Sequence, residues 1–573
     1  MKPRFRARLV PLLAALACGG AHAAATDVRV LIDVSGSMKK TDPGNLRVPA
    51  LKLLAELLPE GAKAGVWLFD QGVSPLLPPA TVDAAWKQNA RGRATRIHSR
   101  GLYTNIEAAL AAASADWADG PAADGGERHI VLLTDGVVDV AKDQAVSAAS
   151  RTRVLGEMVT SLKGKAVHVH TVALSADVDR ALLDALASAT GGWREDAPTA
   201  DALQRAFLHM FEQAAAPDTV PLKGNSFHVD ASVRELTLLV FRGADDVDAL
   251  TLTGPDRVVL SAEAPGDHSR WQAEEGYDLV TIEAPAPGKW VFSGNEDPDN
   301  RALIVTDLDL KLGEMPANVL PGEQVPLSAQ LLEQGQPISR EDFLELTRAS
   351  VAFVGKDGAG DMQDLPLDSA TQSFRGAAGR LPPGPYEVIV RAESATFERE
   401  IRRRLRVYKS PVALKAVSRP AEGADGPLIR MGIAVNPKLV DPASVSGYVL
   451  TTGPDGNRNA VELPALTKGK AILDIPATLG GDYALATTVL VETLAGRSLR
   501  LQPDALSVKV EGPAAAATAD APPPPPPPPP APTIGYAKAA AIVGAGNVAL
   551  GAVLGPLWFG LRRRGLPVKG VSL

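Results

Sequence analysis

Five oxygen-bearing side chains, four of them just past apolar runs, carry the chemistry of this chain. Val28-Arg29-Val30-Leu31-Ile32 leads into Asp33-Val34-Ser35-Gly36-Ser37, a D-x-S-x-S motif at the carboxyl end of a buried first strand. Ile130-Val131-Leu132-Leu133 leads in the same way into Thr134-Asp135-Gly136. Between them, Gly101-Leu102-Tyr103-Thr104-Asn105 puts a hydroxyl at the start of a helix. Together these make sense as one site for a hard cation, Mg²⁺ or Mn²⁺. Mg²⁺ takes about six oxygens in a near-octahedral shell and keeps several waters. Ser35, Ser37 and Thr104 can supply hydroxyl oxygens, while Asp33 and Asp135 bind directly or hold metal-bound waters and balance the charge. A cation held mainly by hydroxyls stays electrophilic, and an open coordination position attracts a carboxylate from a partner. Asp and Ser after a strand also make simple turns and helix caps. That bland reading covers each segment singly but not all three in this order.

The elements that would position these residues alternate. Val28–Ile32, Ala64–Phe69, Ile130–Leu133 and Val167–Leu174 are compact apolar runs. Leu46–Leu58, Asn105–Ala113, Gln144–Leu162, Arg180–Ala189 and Ala200–Ala214 carry helical signals. Short continuous apolar strands alternating with helices imply an α/β doubly wound, Rossmann-like parallel sheet covered on both faces. Ligands of such sheets sit beyond the carboxyl ends of the strands. Asp70, after the second run, is expected to be a solvated loop acid. His168 and His170 share one strand face, but no third ligand is evident, so they are expected to be satisfied strand histidines.

On Asp33-Val34-Ser35-Gly36-Ser37, Thr104 and Thr134-Asp135-Gly136, the region 26–215 resembles a von Willebrand factor type A domain of the bacterial membrane-anchored type. Gly191-Gly192-Trp193 followed by Ala200–Phe211 is similar to the family's last loop and helix. The resemblance implies a metal-ion-dependent adhesion site in which Ser35, Ser37 and Thr104 are direct ligands and Asp33 and Asp135 act through water. It also implies a protein partner that offers Asp or Glu to the metal.

From residue 222 to 511 the helical period gives way to short alternating strands, punctuated by turns such as Pro287-Gly288, Pro383-Gly384 and Pro454-Asp455-Gly456. That texture suggests β-sandwich modules at 222–310, 311–409 (Ig-like) and 410–511.

The two ends speak of a membrane. Residues 1–25 read as a signal peptide: Lys2, Arg4, Arg6 and Arg8, then an apolar stretch, then Ala-x-Ala cleavage sites. Cys18 is the single cysteine, so no intrachain disulfide and no Cys-based zinc site can form. Lipidation at Cys18 is a weaker alternative, since Ala15-Leu16-Ala17 fits a lipobox poorly. Residues 512–533 form an Ala/Pro-rich stalk with nine consecutive prolines, Pro522–Pro530. A transmembrane helix follows at 534–561, then a basic tail at 562–573 opening with Arg562-Arg563-Arg564. Positive residues stay cytoplasmic, which points to a single-pass protein of the bacterial inner membrane with its ectodomain in the periplasm. Gly551-x-x-x-Gly555 would allow homo-oligomers through the span.

All 66 acidic residues lie between Asp27 and Asp520, so the middle of the chain is strongly acidic and repels phosphate backbones. No nucleic acid partner is expected. There is no G-x-S-x-G, H-E-x-x-H or P-loop motif. A phosphohydrolase would usually carry a second acid where Ser35 stands. The chain therefore reads as a binding protein, not an enzyme. A structural spacer or an envelope assembly factor with a non-essential metal site is the alternative, and a hydrolase a more distant one.

Overall fold

Apolar runs too short for helices become the central strands of one sheet, with two less apolar strands at its edges. They are β1 (Asp27–Asp33), β2 (Lys63–Phe69), β3 (Val73–Thr81), β4 (Arg128–Thr134), β5 (Val167–Ala173) and β6 (Arg194–Asp196), in the order β3-β2-β1-β4-β5-β6. All neighbours are parallel except β3, which pairs antiparallel with β2 at one edge. The structure, a computed structural model, describes residues 26–243, 249–358, 360–420, 427–494 and 496–511. The expected signal peptide, stalk, transmembrane helix and basic tail lie outside the described residues. Among the described residues, no helix is long and apolar enough to cross a membrane.

β1 and β4 are buried along their whole length. Alternate residues of β1 serve two cores: Val28, Val30 and Ile32 pack on one face, Leu31 on the other. The first face is covered by α2 (Arg47–Leu57), α3 (Ala84–Ala94) and α8 (Ala200–Ala215), following the short α1 (Met38–Thr41). The second is covered by α4 (Ile106–Ala113), α6 (Val159–Gly164) and α7 (Arg180–Ala189), with α5 (Gln144–Arg153) leading into α6 through Val154–Met158, whose Val154 joins the same core. A single helix expected over Gln144–Leu162 is divided by a π turn at Val154–Met158, with Gly156 at its centre.

β1 connects to β2 on one side, while its other neighbour is β4. The strand order therefore reverses between β1 and β4, and a crevice opens at their carboxyl ends. Asp33 closes β1 and Thr134 closes β4, so the sequence places its polar motifs where the backbone leaves room.

The β region builds three further cores. The first two are not separate: the strand Thr219–Val220 lies between Arg301–Thr306 and Glu398–Val407 and joins their strands into one ten-stranded sheet. Strand Leu308–Leu312 crosses the break expected near residue 310 and pairs with Val325–Glu333. Nor do the β modules merely carry the α/β domain. Phe207 and Phe211 of α8 share a core with Leu239, Phe241, Tyr277, Leu279 and Leu303. Around that core the helix is tied by ion pairs: Arg205 to Asp297 (2.5 Å), His209 to Asp299 (3.0 Å) and Glu212 to the buried Arg301 (2.6 Å).

Candidate metal centre

The crevice gathers the five residues singled out in the sequence. Asp33 is fully buried. The Ser35 amide donates to its Oδ1 (2.8 Å) and the Thr134 hydroxyl to its Oδ2 (2.7 Å). The Ser35 and Ser37 hydroxyl oxygens lie 2.9 Å apart, and Ser37 donates to Asp135 Oδ1 at 2.8 Å. Thr104 is held by two backbone bonds with Asp139, at 2.7 and 3.2 Å. Its Oγ1 would lie 3.6 Å from a Cβ added at Gly136, the residue after Asp135.

Backbone bonds tie the loops together: the Gly36 amide donates to Gly101 O (2.8 Å) and the Gly101 amide to Val34 O (2.9 Å). Gly101 is obligatory here, because a Cβ on it would sit 2.2 Å from the Asp70 Cβ. Asp70 is thus half-buried at the rim, not a freely solvated acid. Its carbonyl accepts from the Asn105 amide, and Asn105 in turn caps α4 through Ala108 N–H.

The donor set fits a small divalent cation. Hydrogen bonds of 2.9 Å between the Ser35 and Ser37 hydroxyls and 2.8 Å from Ser37 to Asp135 bring these oxygens together beside the buried Asp33, the hydroxyl and carboxylate chemistry that a hard cation takes. The electrostatics point the same way. Burial pushes the Asp33 carboxyl up to about 6, against the hydrogen bonds from Thr134 and Ser35 that favour its charged form; the neighbouring Asp135 adds to the rise. Two acids held close in a dry crevice call for a positive charge between them.

Two supports were not legible in the motif. The Thr41 hydroxyl, one helical turn past Ser37, donates to Asp135 Oδ2 at 2.5 Å. Arg47 is fully buried, pairs with Asp42 (2.7 Å), and donates to Asp33 O (2.6 Å) and Ser99 Oγ (2.7 Å). The four-residue spacing from Ser37 hints at Thr41; nothing in the sequence marks Arg47.

The histidines lie at the other end of the sheet. His129 on β4 stacks against both His168 and His170, with ring centroids 5.3 Å apart in each pair. The Trp193 amide donates to His170 Nδ1 (3.1 Å), so His170 carries its proton on Nε2 and donates to His129 Nδ1 (3.0 Å). His129 Nε2–H then faces Glu127 at 3.1 Å. Burial lowers both His129 and His170, and the chain of bonds uses their ring nitrogens. Among the described residues, no group of three or more His, Cys, Asp or Glu is placed to hold a metal ion. The five-residue crevice has only two carboxylates and relies on hydroxyls. Glu127 and the three histidines line a cavity of about 860 Å³ between the α/β domain and the later β regions.

Residues 26–196 match the family model described as von Willebrand factor type A domain. No curated protein matches the chain. Among solved structures, it is similar to von Willebrand factor type A from Catenulispora acidiphila, at 15% identity over 55% of this chain and 64% of that one, with a TM-score of 0.29. This chain thus spans less than two thirds of that protein. It is similar also to the conserved hypothetical protein BatB from Bacteroides thetaiotaomicron, at 16% identity over 32% of this chain and 94% of that one (TM-score 0.25). A third is proximal thread matrix protein 1 from the mussel byssus with zinc-occupied MIDAS motif, at 16% identity over 35% of this chain and 51% of that one (TM-score 0.26).

Proposed function

Residues 26–196 are a von Willebrand factor type A domain, and from that premise we propose that the protein is a divalent-metal-dependent protein-binding protein of the bacterial envelope. Asp33, Ser35, Ser37, Thr104 and Asp135 would hold Mg²⁺ or Mn²⁺. The bound cation would supply a positive, oxygen-seeking centre for an Asp or Glu of the partner. Ser35, Ser37 and Thr104 present hydroxyl oxygens to it; Asp33 and Asp135 balance its charge; Thr134, Thr41 and Arg47 fix the two carboxylates and their loop. The observation that carries this reading is the convergence of the Ser35, Ser37 and Asp135 oxygens beside the buried Asp33 at the carboxyl ends of β1 and β4. We assign no catalytic residue.

In this reading a cleaved signal peptide takes the chain out of the cytoplasm, and the segment 534–561 anchors it with its C-terminus inside. The sequence of the two ends supports that placement. A scaffold or assembly factor remains a second reading. It is favoured by the close packing of α8 against the β region, which makes the binding domain part of a larger compact unit.

Isothermal titration with Mg²⁺ and Mn²⁺ tests the proposal. The wild type should bind one ion per chain and Asp33→Ala none. A crosslinked pull-down from envelope extracts, with and without chelator, tests the bridging. Partners that elute identically in both refute it.

A further inference from the structure

The α/β domain hides its apolar side chains well. Among its described residues, three large ones are left exposed: Leu102 (77%), Val137 (51%) and Val146 (46%). Exposed apolar residues scattered singly need no explanation, but these three are not scattered. Leu102 stands two residues before Thr104, and Val137 two residues after Asp135. Val146 opens α5, whose Ser147 hydroxyl receives the Val140 amide (3.1 Å) from the loop after β4. Leu102 and Val137 therefore stand on the two loops that carry Thr104 and Asp135 at the crevice, and Val146 stands on the helix tied to the second of those loops.

The loop that carries Leu102 cannot turn it inward. The Gly101 amide is bonded to Val34, the Leu102 amide donates to Gln71 Oε1 (3.0 Å), and Thr104 is pinned on both sides to Asp139. A loop whose backbone is already fixed loses no backbone freedom when its side chain is bound, which favours association. Lys39 and Lys40 are exposed on the turn after Ser37 and favour an acidic partner.

We propose that the partner presents an Asp or Glu directly beside a large aliphatic or aromatic residue on a protein loop. The carboxylate goes to the crevice, and the apolar neighbour packs on Leu102 and Val137. This inference rests on the metal-dependent reading above and adds the chemistry of the partner to it.

Two cyclic hexapeptides test it, one holding Leu-Asp and the other Ser-Asp, otherwise made of Gly and Ser. Each is titrated into the full-length protein with Mg²⁺, and Mg²⁺ is titrated separately without peptide. The Leu-Asp peptide should bind roughly tenfold more tightly. Leu102→Ser together with Val137→Ser should erase that preference while leaving Mg²⁺ affinity unchanged. A wild type that takes up Mg²⁺ but shows no preference between the peptides overturns this inference and leaves the metal site standing. So does a preference that survives the double substitution, which would place the apolar contact elsewhere. A Leu-Asp preference equally strong in chelator overturns the joint carboxylate-and-apolar contact. A wild type that takes up no Mg²⁺ overturns the metal reading itself, and this inference with it.

Discussion

Asp33 should be a burden on the metal-free fold, and replacing it with Asn should reveal how large a burden. Its carboxyl rises from an ordinary 3.8 to about 6, chiefly because burial removes it from water. A shift of that size, at about 1.4 kcal/mol per pH unit, corresponds to roughly 3 kcal/mol. The sign follows from linkage. The folded state binds the proton more tightly than the unfolded one, so the cost is absent below about pH 4. It grows between 4 and 6 and is complete at pH 7. Asn keeps the shape: its oxygen can accept from the Ser35 amide, and its amide nitrogen can donate to the Thr134 hydroxyl. Asp33→Asn should therefore stabilise the protein in chelator by up to about 3 kcal/mol at pH 7 and by almost nothing at pH 4. Urea unfolding followed by tryptophan fluorescence measures this, since Trp67, Trp86, Trp117 and Trp193 all lie in the α/β domain. Millimolar Mg²⁺ should stabilise the wild type and leave the variant unmoved. An Asn variant no more stable than wild type at pH 7, or equally stabilised at both pH values, refutes the reasoning.

Three further outcomes are expected. Burial pulls His209 down, but Glu195 and Asp299 outweigh it and hold it at about 9, so its contribution is complete below pH 6.5 and lost as pH rises through 9. His209→Gln should thus cost roughly 3 kcal/mol at pH 6 and little at pH 10, read from thermal unfolding at both. Gly101→Ala must displace the loop against Asp70; Mg²⁺ affinity by titration should fall at least tenfold while far-ultraviolet circular dichroism stays native. Arg47→Met removes the ion-pair partner of the buried Asp42 and leaves it only backbone amide donors; it should cost about 3 kcal/mol in urea unfolding and weaken Mg²⁺ binding as well.

The strands and helices that frame the crevice could be read from the chain because their signal is local. β1 and β4 are unbroken apolar runs ending in acids, and the loops after them carry motifs at fixed spacing. What escaped was either short, edge-placed or long-range. β3 contains Pro75, Pro78 and Pro79, which argue against a strand and are tolerated only because it forms an edge. β6 has three residues and takes its shape from β5. His129 lies 41 residues from His170 and joins it only because β4 and β5 are neighbours. Arg47 reads as an ordinary helical charge until Asp42 and Ser99 close around it. The junction with the β region left no trace either, since the apolar residues of α8 look alike whether they face one layer or two.

That junction bears on how the chain can be dissected. A fragment cut at residue 215, where the sequence changes texture, would strip the outer layer from Phe207 and Phe211, leave Glu212 without Arg301, and reduce Arg205 and His209 to Asp201 and Glu195 alone. It would also sever the Thr219–Val220 stitch that holds two β cores in a single sheet. The smallest portion able to stand by itself is therefore larger than the family match, and it extends at least through the strand Glu398–Val407.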